Sequence, residues 1–173
     1  LLRFLSREVY GDIDKYILEN AAERGTAVHR ATQELDEIGY CEALPGIAGY
    51  LEAYAKFLRE HTVHWEYIEH ALAHPSMLYA GTIDRAGTVD GQRAVVDIKT
   101  SAAIKKPLVK AQLNGYHKLL HENGFEAERL YCLQLLCSGK YRLYQTAHDD
   151  TEFMACYTLH AAIKKQQKRG YIL

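Results

Sequence analysis

The sequence predicts an α/β domain: a central mixed sheet of about five strands flanked by helices. Three observations predict it. Apolar residues recur at helical spacing through the first third of the chain. From Val63 onward the pattern changes to β-branched and aromatic runs broken by hairpin signals. A helix-like segment opened by Pro107 then separates two groups of strands, so one strand connection has to cross over.

The elements follow in order. Residues 12–24 read as helical, and a clearer helix covers 22–38. There Val28, Ala31, Leu35 and Ile38 fall at three- and four-residue steps, and Gly39 ends the run. A second helix over 46–61 places Tyr50, Leu51, Tyr54, Phe57 and Leu58 on its inner side. Strands are predicted over 63–73, 78–89 and 93–100. Asp90-Gly91 supplies the hairpin turn between the last two, which gives an antiparallel three-stranded core. Pro107 suits the first turn of a helix to about 122, and Asn123-Gly124 suits its end. Strands over 129–136 and 141–146 join across Ser138-Gly139. The capping-box pattern Asp149-x-x-Glu152 then starts a last helix to about 169. No internal repeat or low-complexity linker divides the 173 residues. They read as one domain, with a helical part over about 1–62 and a sheet core with flanking helices over about 63–173.

Composition narrows the function classes. The chain is 48% hydrophobic and 25% charged, which is ordinary for a globular protein. No apolar run approaches bilayer-spanning length and no signal peptide is recognisable, so a cytoplasmic protein without a membrane partner is expected. A net charge of −1 argues against a protein that coats nucleic acid by charge alone. It leaves room for a local basic groove, for which Lys105, Lys106 and Lys110 are candidates. A second group, Lys164, Lys165, Lys168 and Arg169, reads as solvated helix surface. Cys41, Cys132, Cys137 and Cys156 form no C-x-x-C. Cys132 and Cys137, five apart on an expected strand, would face opposite ways, and free, mostly buried thiols are expected.

The chemistry concentrates in Y-A-G-T-I-D-R-A-G-T-V-D-G-Q-R-A-V-V-D-I-K-T. Strand alternation puts Asp97 and Lys99 on one face, with Val96 and Ile98 opposite. Across the turn, the strand carrying Asp84 can lie alongside. Two carboxylates drawn together repel unless a cation joins them. Mg²⁺ or Mn²⁺ answers that need, taking carboxylate oxygens and carbonyls, with the Ile98 carbonyl as a further ligand. Such an ion can activate water and hold a phosphate oxygen, and the Lys99 ammonium can orient the water or offset charge. A D-x-K triplet alone is more often a surface ion pair. The wider order of G-T-I-D, tight turn and apolar-D-I-K-T is what points to a phosphodiester-cutting metal site.

Over about residues 21–117 the chain resembles the PD-(D/E)xK nuclease superfamily, in particular its RecB-type exonuclease branch. The matching motifs occur in order. They are the helix Arg24-Gly25-Thr26-Ala27-Val28-His29, then a strand glutamate taken as Glu69 with Glu66 as competitor. Gly81 and Asp84, Asp97 and Lys99, and the helix pair Gln112 and Tyr116 follow. The resemblance implies a restriction-endonuclease-like core and a metal held by His29, Asp84, Asp97 and the Ile98 carbonyl. It also implies catalytic roles for Asp84, Asp97 and Lys99, with Gln112 and Tyr116 beside them. Without that context His29 would read as a satisfied, partly buried histidine. Gly25 would let its helix approach the sheet, Thr26 belongs to the same motif, and Thr100, Lys105, Lys106 and Lys110 would meet the substrate. Some relatives carry cysteines that hold an iron–sulfur cluster; the spacing here differs, so none is expected.

The implied activity is metal-dependent hydrolysis of DNA, as an exonuclease of repair or recombination of the phage or prophage type. It would act in a bacterial or phage-infected cell, as a homo-oligomer or beside a recombination or helicase partner. The alternatives are a nucleic-acid-binding module of the same fold without catalysis, and a metal hydrolase for small phosphoesters.

Overall fold

Alternation and helical spacing resolve into four helices and five strands in a computed structural model that describes residues 14–42 and 44–168. In chain order these are α1 (Lys15–Ile38), α2 (Ala48–Glu60), β1 (Val63–His74), β2 (Tyr79–Val89), β3 (Gln92–Lys99), α3 (Lys106–Glu122), β4 (Arg129–Leu135), β5 (Tyr141–Thr146) and α4 (Thr151–Lys168). The strands form one sheet in the order β1-β2-β3-β4-β5. Adjacent strands run antiparallel except β3 and β4, which are parallel and connected through α3. This is the expected α/β arrangement of a mixed sheet with flanking helices. No described helix is long and apolar enough to cross a membrane.

Two apolar layers hold the helices to the sheet. Val28 and Ala31 of α1 and Tyr50, Leu51, Tyr54 and Phe57 of α2 bury against Val96, Ile98, Leu133 and Leu135. On the other face, Val109, Leu113, Leu119 and Leu120 of α3 bury against Ile83, Ala86, Val95 and Leu130. α4 adds to this side through Phe153, whose ring fills the space that the absent Gly115 side chain leaves open. β3 is central and buried on both faces from Ala94 to Ile98, including Asp97.

Several expectations need adjustment. The helices expected over 12–24 and 22–38 are one continuous α1, started by Asp14, whose side chain accepts the Tyr16 amide. Residues 12 and 13 lie outside the described residues. Gly39, at φ 72°, ends α1 and donates its amide to the Leu35 carbonyl. Ile38 is 72% exposed and leaves the apolar stripe. Cys137 lies past the end of β4, exposed in the turn before β5; Cys41 and Cys156 are partly buried and Cys132 is buried. The Asp149–Glu152 capping box does not form. Asp149 receives the Thr151 amide on its side chain, its own amide goes to Asn114 Oδ1, and Glu152 turns to Lys110. Arg169, expected at the helix end, lies outside the described residues.

One local irregularity positions the site. β1 takes a register shift between Trp65 and Tyr67, where Gly87 allows the two backbones to touch; a Cβ there would lie 2.1 Å from the His64 carbonyl oxygen. Two residues further on, Glu69 adopts φ 44°, rare for a side-chain-bearing residue. Tyr67 and Leu72 consequently both pack toward α3, although unbroken alternation would separate them. Ile83 and Ala86 on β2 do the same. The paired register places Glu69 across from Asp84, so both strands break alternation at the same point.

Candidate metal centre

The break in β2 coincides with the end of its ladder to β3. Pairing runs from Val89↔Gln92 to Arg85↔Val96 and goes no further. One more step would set Asp84 beside Asp97. Instead the Asp84 side chain enters the gap, and its Oδ2 accepts the Ile98 amide at 2.7 Å. The carboxylate thus satisfies a buried backbone donor that the missing strand pair would have left orphaned. The opening leaves room between the strands for groups from both helical layers.

α1 supplies His29. Its Nδ1 lies 2.9 Å from Glu69 Oε1, its Nε2 lies 3.1 Å from the Ile98 carbonyl oxygen, and Nε2 lies 3.8 Å from Asp84 Oδ2. Donor atoms of His29, Glu69 and Asp84 all fall within 4.8 Å of one another. With Nδ1–H given to Glu69, a neutral imidazole would turn the Nε2 lone pair toward another acceptor, the Ile98 oxygen. That contact is favourable only with a proton or a cation at hand. Burial alone would lower the His29 pKa. The Glu69 hydrogen bond and the nearby charges of Asp84, Glu69 and Asp97 outweigh it and raise the value.

Asp97 and Lys99 occupy the α3 side, as alternation predicts. Lys99 Nζ lies 2.8 Å from each Asp97 oxygen, with hydrogen-bond geometry only toward Oδ1. The fully buried Asp97 Oδ2 therefore has no directed donor. Burial works against the Lys99 charge, but Asp97 and Asp84 prevail and raise its pKa, so it remains an ammonium. Lys99 also donates to Gln112 Oε1 at 3.1 Å, and Gln112 Nε2 donates to Tyr116 OH at 2.7 Å. Burial, then the charge of Asp97, pushes Asp84 up from 3.8 to about 7. The Asp84 and Glu69 carboxylates and an imidazole beside a carbonyl are a donor set that suits a hard divalent cation, with the buried Asp97–Lys99 ion pair alongside.

Behind this set lies a group that sequence reading did not single out. Arg85, with no exposed surface, donates to Asp36 (2.7 Å), Glu69 Oε1 (3.1 Å), the Asp84 carbonyl (2.6 Å) and Thr32 Oγ1 (3.2 Å). Asp36 also accepts the Tyr54 hydroxyl at 2.6 Å. Arg85 and His29 thus meet on one glutamate oxygen. The available signal was the spacing of His29, Thr32 and Asp36 on α1, at helical steps along one face.

The remaining candidates fall in different places. Glu69 joins the cluster, whereas Glu66 faces Arg93 at 3.5 Å. Gly25 is not demanded by space: a Cβ there would meet Thr100 Oγ1 at an ordinary 3.8 Å. Thr26 is exposed and donates to the Ala22 carbonyl. Gly25, Thr26, His29 and Glu69 line an open groove of 460 Å³. Thr100 is half-buried beside Gly25, and Lys105 and Lys106 are exposed at the start of α3. Lys110 is drawn away to Asp149 and Glu152, so its charge is already matched. Neither the family models nor the curated proteins compared with this chain contain a match to it.

Proposed function

We propose that this protein is a Mg²⁺- or Mn²⁺-dependent deoxyribonuclease of the PD-(D/E)xK type, acting in the cytoplasm as an exonuclease in DNA repair or recombination. The observation that carries this reading is the fork between β2 and β3. There His29 Nε2, Asp84 Oδ2 and the Ile98 carbonyl converge beside the buried Asp97–Lys99 pair. His29, Asp84, Asp97 and the Ile98 carbonyl would hold the cation. When bound, it supplies a Lewis acid for a phosphate oxygen and an acidified water.

The side chains divide the remaining work. Lys99, kept cationic by Asp97 and Asp84, offsets the charge that grows on phosphorus and orients the nucleophile. Gln112 and Tyr116 fix the Lys99 ammonium from α3. Glu69, itself held by Arg85, sets the His29 ring so that Nε2 faces the site. Lys105 and Lys106 stand where phosphates would approach the N-terminus of α3. Because the whole chain is near neutral, DNA affinity on this reading would come from this local surface, with a homo-oligomeric or helicase partner adding to it.

The test compares wild type with Lys99→Ala on linear and circular DNA with Mg²⁺ or Mn²⁺. Loss of about 10²–10³ in rate is expected for the variant. Equal activity in the two proteins would remove the mechanism, and cutting of circular DNA would replace exonuclease by endonuclease action.

A further inference from the structure

A cavity of 200 Å³ lies between the start of β2 and helices α3 and α4, beside the proposed metal ligands, and it shares Gln112 and Tyr116 with the proposed hydrolytic groups. Tyr79, Ala80 and Gly81 line it from the sheet, Gln112 and Tyr116 from α3, and Phe153 from α4. Its walls are aromatic and their polar ends are already occupied. Tyr79 OH donates to the Gly115 carbonyl at 2.8 Å, and Tyr116 OH accepts from Gln112. The Tyr79 and Phe153 ring centroids lie 5.0 Å apart. What remains available to an occupant is largely apolar ring surface.

The rim is different. Because the β2–β3 ladder stops at Arg85↔Val96, the β2 backbone over 79–84 has no strand partner on that side among the described residues. An occupant with flat apolar faces and a hydrogen-bonding edge would match both features. At 200 Å³ the space is below the ~300–1,000 Å³ of drug-sized sites, which suits one planar ring system rather than a whole nucleotide. Gln112 connects the cavity to Lys99, 3.1 Å from its side-chain oxygen, so the occupant would adjoin the scissile phosphate.

We infer that this cavity receives an unpaired nucleobase next to the cleaved phosphodiester, which makes the substrate a single strand or a frayed duplex end. The inference rests on the hydrolytic reading above. A paired base could not enter without leaving its stack, whereas a free base gains stacking on the tyrosines.

The experiment measures KM with Mn²⁺ on single-stranded DNA, on an abasic strand of the same length, and on bis(p-nitrophenyl) phosphate. Phe153→Leu takes the flat ring out of the α4 wall and keeps an apolar side chain there. Gly81→Ala is the second variant, since its Cβ would meet Tyr116 at 3.1 Å and press that ring inward. Circular dichroism melting confirms that each is folded. Expected are a KM about tenfold lower for the base-bearing strand than for the abasic one, and loss of that preference in both variants. Hydrolysis of the small diester should be unchanged by Phe153→Leu. Equal KM for the two strands in wild type would overturn the inference, as would folded variants that keep the preference. Failure of wild type to cut any of the three would remove the hydrolytic reading itself. In that event, quenching of a 2-aminopurine oligonucleotide by wild type and its loss in Phe153→Leu would still support the base site, and no quenching, or equal quenching by both, would end it.

Discussion

The Asp84 carboxylate accepts the Ile98 amide at 2.7 Å, at the step where the β2–β3 ladder ends. One side chain therefore serves two ends: it closes the sheet's broken hydrogen-bond pattern and faces His29. These roles can be separated because only one of them needs charge.

Asp84→Asn keeps an acceptor for the Ile98 amide and removes the charge. Asp84→Ala removes both and leaves a buried donor unpaired, at a cost of about 1–3 kcal/mol. The expected result in urea titrations is near-native stability for the Asn variant and that loss for the Ala variant. Isothermal titration with Mn²⁺ should show weak binding in both. An Asn variant as unstable as the Ala variant would show that Asp84 does not stand in for the missing strand bond.

The same carboxylate sets a pH dependence. Burial first, and then Asp97, raise its pKa from 3.8 to about 7, so the folded protein retains a proton that the unfolded chain has released. Stability from this group is fully present below pH 3.8 and is lost as pH rises through about 7. His29 acts in the same direction, because its folded pKa is raised above 6.5. The cation-free protein should therefore melt at a lower temperature at pH 8 than at pH 6. Mn²⁺ should restore the loss at pH 8 by taking the place of the protons. Melting curves at the two pH values, with Mn²⁺ or with a chelator, check this. An equal Mn²⁺ shift at both would contradict it.

Arg85 gives the largest expected stability effect. Its guanidinium is fully buried and bridges Asp36, Glu69 and the Asp84 carbonyl. Arg85→Met keeps much of the volume but strands two carboxylates, and breaking a buried pair costs roughly 3–5 kcal/mol. Losing support for Glu69 should also weaken Mn²⁺ binding by about tenfold or more, through the His29 ring. Urea unfolding and Mn²⁺ titration read the two effects separately. A variant with unchanged metal affinity would show that Glu69 holds His29 without help.

How much of this was legible in the sequence follows from which rules are local. Asp97 and Lys99 were placed on one face because strand alternation is fixed by the backbone, and the structure keeps them there. Asp90-Gly91 announced the hairpin because both residues take positive φ, 50° and 79°. The alternation break at Glu69 and Asp84 carried no such mark, since neither residue is glycine or proline. Arg85 carried no mark of its role because nothing in its neighbours reveals that Asp36, far away in sequence, lies beneath it. The capping box failed for a similar reason. Lys110, on another helix, competes for Asp149 and Glu152. The first half of α1 was indistinct because it is largely exposed and gives no apolar stripe.

Lys99 and Gln112 should differ in kind when removed. Lys99→Ala takes away the ammonium that the proposed mechanism sets against the phosphate and leaves Asp97 buried without its partner. A rate loss of about 10²–10³ is expected. Gln112→Ala leaves that ammonium paired to Asp97 and removes only the hold from α3. It should reduce turnover by about tenfold, because a misplaced group loses part of its orientation rather than its charge. Gln112→Glu replaces the amide by a carboxylate and keeps an acceptor for Lys99, so it should recover turnover relative to Gln112→Ala. Its added negative charge next to the phosphate path should instead raise KM. Single-turnover rates and KM for the variants separate these effects. If Gln112→Ala matched Lys99→Ala in rate, Gln112 would have to contact the reacting phosphate itself, and the assignment of Lys99 as the group it positions would fall.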